Sequence, residues 1–471
     1  MALPVILINS ATGSDTAASG AGPTTALSGS TGVASGSTIT MTANNPDLSG
    51  VATDGSAVFW FNDTTASRRN FSKITAVDNT TKVVTVAVAF TAGTQSWAIG
   101  GKRATLGGTS SARLINNTSE IAAGWVIEME SGHSETITAT LTATVSGDTT
   151  NGPIIVRGTS GAATMPILTF SNNGNAFSAA TFNYWQFRDF EMRNSNATKT
   201  TSVAIKDGSL GTVVQGMKIS HSSNNFWRCV SYIGGGSLAV YDCELGYAAT
   251  DCLFTSSTTP TGPIVVRNNW IHNSTTNGIR CNVSTTVELC AFIFQGNLIT
   301  SNTEDGINMG ALEADASRSA QFIGNTFHGN SGDGIELLGP STDTNFAHLL
   351  IMNNIFTSNG GYGINWSGSG INNAVLSCYG VQIRGNTHYN NTSGFQSASI
   401  TIDTDTTNVD PSYTNSGGND YSVSTAVKAK AYPVGGSLYV GRSSTYSYVE
   451  PGTAQRQEPA SGGSSSRYVS G

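Results

Sequence analysis

Residues 264–281, IVVRNNWIHNSTTNGIRC, return as FIFQGNLITSNTEDGINM (292–309), AQFIGNTFHGNSGDGIEL (320–337), HLLIMNNIFTSNGGYGINW (348–366) and VQIRGNTHYNNTSGF (381–395). The copied asparagines Asn269, Asn297, Asn325, Asn354 and Asn386 step by 28, 28, 29 and 32 residues. The partner glycines Gly278, Gly306, Gly334, Gly363 and Gly394 step by 28, 28, 29 and 31. A fixed period of this size is the mark of a solenoid, whose repeats bury a continuous core only by stacking.

The residues within each copy choose strands over helices. They are β-branched and aromatic, broken every few positions by Gly, Asn, Ser and Thr, with no sustained 3.6-residue period. Ile271, Ile299, Phe327 and Phe356 fall at one equivalent place, and Ile279, Ile307, Ile335 and Ile364 at another. Both series are predicted to be stacked core rungs.

The repeat extends backwards. VVQGMKISHSSNNFWRC (213–229) matches VVRNNWIHNSTTNGIRC (265–281) at an offset of 52 residues, placing Cys229 on Cys281, and LAVYDCELGYAATDCLF (238–254) supplies the coil between. FNYWQFRDFEMRNSN (182–196) fits one coil earlier, and PIIVRG (153–158) an earlier, more distorted one. Roughly eight coils between about 180 and 396 make a column some 35–40 Å long at the interstrand spacing.

The N-x-[IF]…G-[IF] coil motif resembles that of the right-handed parallel β-helix superfamily, the fold of pectate lyases, many polysaccharide depolymerases and bacteriophage tailspikes. The resemblance covers about half the chain. It implies an all-β parallel β-helix, and a ladder of stacked, outward asparagine amides at Asn269, Asn297, Asn325, Asn354 and Asn386. It does not choose a function, because the superfamily includes lyases, hydrolases, adhesins and proteins with no chemistry.

Three regions follow. Residues 1–105 read as a β-rich cap or attachment domain, with strand-like STITMT, SAVFWF, FSKITAV, KVVTVAVAF and SWAIGG. Residues 106–396 are the column. Residues 397–471 form a closing segment and a Gly/Ser-rich tail, in which SYVEPGTAQRQEP (447–459) resembles segments that follow the last coil in β-helix proteins of phages and environmental bacteria.

Composition narrows the partners. Charged residues make up 11% of the 471, against about 25% in ordinary soluble domains. Net charge is −7 and the longest basic cluster is Arg68-Arg69, so neither nucleic acid nor membrane insertion is expected. No signal peptide is expected from the opening MALPVILI, which lacks a basic flank. Six cysteines show no zinc spacing. Cys229 and Cys281, taken as two coils or about 9–10 Å apart, lie beyond disulfide reach, which favours buried free thiols.

A surface-type composition without export signal or disulfide framework fits a protein made in a bacterial cytoplasm and released by lysis. The reading is a structural component of a bacteriophage particle, a tailspike, fibre or capsid-decorating β-helix. It would be a homotrimer located in the virion, in contact with other virion proteins and able to bind host surface polysaccharide. Trp270, Tyr362, Trp366 and Tyr389 are the candidate glycan platforms, as aromatics placed to point outward beside the ladder. No cofactor or metal is expected.

The alternative is a polysaccharide lyase or glycoside hydrolase. Its centre would be Asp305, Asp333 and Glu336, because Asp305 and Asp333 are 28 residues apart and therefore stacked on adjacent coils. Carboxylates about 5 Å apart suit a retaining pair or a Ca²⁺ site. Asp before Gly-Ile is also what a tight turn requires. Between residues 264 and 396 the basic side chains are Arg267, Arg280, Arg318 and Arg384, with no lysine. His272 and His328, two coils apart, read as exposed strand residues.

Overall fold

In the computed structural model the described residues are 5–413, Ser416 and Tyr421, apart from 11–24, 42–44, 52, 54–57, 64–67, 101–104, 108–114, 116–120, 160–161, 180, 197–200, 224, 235, 258–261, 284–290, 311–318, 339–347, 368–380, 398–402, 405 and 414–415. Among them are strands and no α-helix. The segment 447–459 lies outside the described residues. The chain forms two compact units, Met1–Met192 and Arg193–Gly471.

In the second unit each coil contributes one strand to each of three parallel sheets, and eight coils follow one another. The first sheet includes Ile264–Arg267, Ala291–Gln295, Ser319–Ile323, His348–Met352 and Gln382–Arg384. The second includes Trp270–His272, Leu298–Thr300, Thr326–His328, Ile355–Thr357 and Thr387–Tyr389. The third includes Arg228–Ile233, Leu253–Ser257, Ile279–Val283, Ile307–Met309, Ile335–Leu338 and Tyr362–Ser367. This is a parallel β-helix, right-handed as parallel crossovers are.

The core is built of vertical rows. Ile271, Ile299, Phe327 and Phe356 are consecutive partners in the second sheet, and Ile279, Ile307, Ile335 and Ile364 in the third. All eight are fully buried. Val266, Phe294, Phe322, Ile351 and Ile383 form the matching row of the first sheet. Like stacks on like at the strand spacing, with Phe327 and Phe356 at 4.9 Å between ring centroids and 4° between planes. Each fully buried side chain of this kind contributes about 1.5–3 kcal/mol.

One correction concerns register. Val230 pairs with Leu253 and Leu253 with Ile279, so Cys229 aligns with Cys252 and then with Gly278, not with Cys281. The matches in the first two sheets do keep the offset of 52, as Ile219, Leu245 and Ile271 show. The difference arises in the turn after Ser220. Ten positions separate Ser220 from Val230, whereas seven separate Gly246 from Leu253 and His272 from Ile279. Three extra residues in one polar turn shift everything after it in that coil.

In the first unit, Val5–Ile8 pairs in parallel with Val126–Met129, which pairs with Ile154–Gly158, itself paired with Trp185–Arg188. The first residues of the chain thus join a parallel sheet. Thr25–Thr40, Val58–Asp63, Arg68–Asp78 and Val83–Gly100 form a separate four-stranded antiparallel sheet. Its core includes Ile39, Phe59, Ile74, Val84 and Trp97. Glu128 accepts from Arg157 at 2.6 Å and lies 3.6 Å from Lys73, a charge link between the two kinds of sheet within this unit.

Candidate functional site

Two tight turns per coil position everything on the column's surface. Each is entered through a left-handed residue: Asn268, Gly296, Gly324, Asn353 and Gly385 before the second sheet, and Asn273, Ser301, Gly329, Ser358 and Asn390 after it. Asn and Gly tolerate that conformation best, which explains the Gly-Asn and Asn-Asn pairs of the repeat.

The next residue in the first turn is the ladder asparagine. Asn269 Nδ2 donates to Asn297 Oδ1 at 3.0 Å, Asn297 to Asn325 at 2.9 Å, Asn325 to Asn354 at 3.0 Å and Asn354 to Asn386 at 3.1 Å. These side chains are buried, not outward, because each Nδ2 also donates inward to a carbonyl of the preceding coil, as Asn297 does to Val266 at 2.8 Å. A second ladder escaped the sequence reading. Ser274, Asn302, Asn330, Asn359 and Asn391 are linked in the same way at 2.7, 2.9, 3.0 and 2.9 Å. Its signal was present, since each member lies five residues after a member of the first ladder.

A third stack enters the third sheet and contains the candidate carboxylates. Asn277 Oδ1 accepts the Asp305 N–H at 3.2 Å, Asp305 Oδ1 accepts the Asp333 N–H at 2.8 Å, and Asp333 Oδ1 accepts the Tyr362 N–H at 2.5 Å. One oxygen of each aspartate therefore serves the turn. The other faces the outward residues of the strand: Asn308 Nδ2 donates to Asp305 Oδ2 at 3.1 Å and Asn365 Nδ2 to Asp333 Oδ2 at 2.8 Å.

Glu336 is the third carboxylate and belongs to an outward row, Phe254, Arg280, Asn308, Glu336 and Asn365. It accepts from Asn308 and, at 3.1 Å, from Ser367 Oγ. Burial, and then the Asp305 carboxylate beside it, push the Glu336 carboxyl up to about 7. Burial also raises Asp333, against the hydrogen bonds from Tyr362 and Asn365. The structure thus brings Asp305, Asp333 and Glu336 together on one face. Among the described residues no three His, Cys, Asp or Glu side chains are arranged to hold a metal ion.

Up the same face, Arg228 lies 3.6 Å above the Phe254 ring and 4.0 Å from the Trp227 ring, with Asp251 at 3.5 Å. Arg280, exposed, stands two positions along the row from Glu336. The basic and aromatic half of this face and its acidic half occupy successive coils.

The aromatic candidates do not share this face. Trp366 faces the interior in the row Cys281, Met309, Leu337 and Trp366, since it sits two positions after the core residue Ile364. Trp270 faces out but is buried under Tyr421, with Leu298 and Tyr413 in the same cluster. Tyr362 is half-buried, and Tyr389 is 40% exposed at the end of its strand in the second sheet. The histidines expected in solvent are covered as well. His272 stacks on Trp270 at 4.0 Å and its Nδ1 meets Asn273 Oδ1 at 2.7 Å. His328 is flanked edge-on by Tyr413 and Tyr421 at 5.4 and 5.2 Å.

No protein-family model and no curated protein sequence matches the chain. Among solved structures it is similar to the catalytic domain of a GH87 α-1,3-glucanase in complex with tetrasaccharides, at 10% identity over 82% of this chain and 87% of that one, with a TM-score of 0.37. Pectate lyase Pel9A is similar at 12% identity over 72% of this chain and 89% of that one, TM-score 0.37. The A-module of the Azotobacter vinelandii mannuronan C-5 epimerase AlgE4 is similar at 12% identity over 59% and 90%, TM-score 0.34. Likenesses this distant leave function to be read from this chain's own residues.

Proposed function

We propose that the outer face of the third sheet binds and acts on a polysaccharide, as a glycoside hydrolase or polysaccharide lyase. The observation that carries this reading is Glu336, half-exposed and held near neutrality by burial and by Asp305. Carboxyl groups whose surroundings separate their proton affinities are what general acid–base chemistry uses. Glu336 is then the proton donor to a leaving glycosidic oxygen, Asp305 the neighbouring charge, and Arg280 a cation for an anionic group of the chain. Asn308, Asn365 and Ser367 add donors along the row.

The test is a panel of neutral and acidic polysaccharides, scored for new reducing ends and for unsaturated ends. Cleavage by the native protein that Glu336→Gln abolishes, with the fold intact, supports the reading. Cleavage unaffected by that change removes Glu336 from the chemistry, and no cleavage with retained binding reduces the face to a recognition surface.

A second reading, a structural β-helix of a phage particle that binds host glycan, is favoured by one observation. Asp305 and Asp333 each spend an oxygen on the backbone of the next coil, as turn-forming residues do. The homotrimer and the virion location belong to this reading. Light scattering of the full-length chain at about three times 48.8 kDa would support it, and a monomer would leave it without its assembly.

A further inference from the structure

We propose that Cys229 and Cys252 are a disulfide-forming pair, closed across two adjacent coils by a small-molecule disulfide while the chain folds. The register that corrects the sequence alignment makes them neighbours. Val230 pairs with Leu253, and the Cys229 and Val230 N–H groups both donate to the Cys252 carbonyl, at 3.1 and 3.0 Å. Both side chains are buried, at 1% and 0% exposure, and both are free thiols, with Cys229 Sγ 3.2 Å from the Ile219 carbonyl and Cys252 Sγ 3.7 Å from the His272 carbonyl. Neighbouring strands place Cα atoms about 4.8 Å apart, inside the roughly 4.4–6.8 Å range of disulfides.

No other described cysteine has a cysteine in register with it on a neighbouring coil. Cys243 Sγ points to the carbonyls of Tyr241 and Val214, at 3.0 and 3.5 Å. Cys281 is in register with Thr255, three positions beyond Cys252 on its own coil. One pair is therefore set apart from the rest.

In the reaction two S–H bonds break and one S–S bond forms. The two electrons pass to glutathione disulfide, whose own S–S bond breaks to give two thiols that take up the two protons. Burial holds the Cys229 thiol well above its ordinary range, and the neighbouring Cys252 adds to this. A thiol so held is a poor nucleophile once the column is complete. The exchange thus belongs to folding, before the coils close.

The experiment refolds the reduced, denatured full-length chain in a glutathione redox buffer and, separately, in dithiothreitol. Alkylation under denaturing conditions and peptide mass spectrometry then locate the six cysteines. Expected in the redox buffer is a Cys229–Cys252 linked peptide, lighter by two hydrogen atoms, with Cys243 and Cys281 alkylated. The linked protein should melt at a higher temperature than the reduced one, a difference that Cys229→Ser removes. Folded protein with all cysteines alkylated, or a link from Cys229 to any other cysteine, overturns the proposal. Should the chain fail to refold, expression with an added export leader into an oxidising compartment gives the same readout.

Discussion

The amide oxygen of Asn325 accepts twice from Asn297, from its backbone N–H and from its Nδ2, both at 2.9 Å. One side-chain atom thereby satisfies two buried donors of the coil before. Asn325→Ala leaves the Asn297 N–H and one of its two Nδ2 hydrogens unpaired, the other still meeting the Val266 carbonyl, and unmade buried hydrogen bonds cost about 1–3 kcal/mol each. The variant should lose at least about 2 kcal/mol in urea unfolding, while an exposed Thr303→Ala remains close to native. Equal stability of the two would remove the ladder from the forces that hold the column.

Ile307 lies at 0% exposure between Ile279 and Ile335. Ile307→Ala should cost about 2–5 kcal/mol through lost transfer energy and the cavity left behind. Circular dichroism melts of this variant against Ile307→Val, expected to lose about 0.5–1.5 kcal/mol, give the check.

The Glu336 carboxyl titrates at about 7 in the folded protein and near its ordinary 4.5 when unfolded. Between those values the folded state holds a proton that the unfolded state has released. Stability therefore falls as pH rises from about 4.5 to about 7 and is flat with respect to this group above that. Asp333, also raised, acts in the same sense. Glu336→Gln should reduce the decline, measured as unfolding midpoints at several pH values. An unchanged pH profile would mean that the carboxyl is not held as described.

Tyr413 and Tyr421 cover His328, Thr357, Trp270 and Leu298 after the last coil, with the Tyr413 hydroxyl 3.0 Å from Thr357 Oγ1. Tyr421→Ala should expose the Trp270 indole and shift its fluorescence to the red without loss of sheet signal. Burial holds the His328 imidazole below the ordinary histidine range, so protons favour the open arrangement. The cover should loosen as pH falls below about 6.5. A fluorescence titration in which His328→Gln lacks this transition tests it.

The period and the core rows were legible because Ile and Phe recur at fixed spacing among polar residues. Turns built of Asn, Ser, Thr and Gly obscured the rest. The second ladder sat among residues that any polar loop would contain, and three extra residues after Ser220 hid the Cys229–Cys252 neighbourhood. Trp366 was decidable from alternation, since it shares parity with Ile364. Trp270 was not, because the residue covering it lies about 150 positions away in sequence. The carboxylates could be aligned by spacing, but only the hydrogen bonds separate the turn-bound aspartates from Glu336.

Every rung of both asparagine ladders points the same way, with the amide oxygen toward the earlier coil and one amide hydrogen toward the later one. The column therefore has a direction. At its start Cys243 supplies a donor, its N–H meeting Asn269 Oδ1 at 2.9 Å. Beyond Asn386 the next coil, with Asp403–Thr404 and Thr407–Asn408, stacks on the one before it and places Thr406 at the ladder position. Polarity of this kind means that a coil inserted anywhere in the ladder must offer an acceptor on one side and a donor on the other.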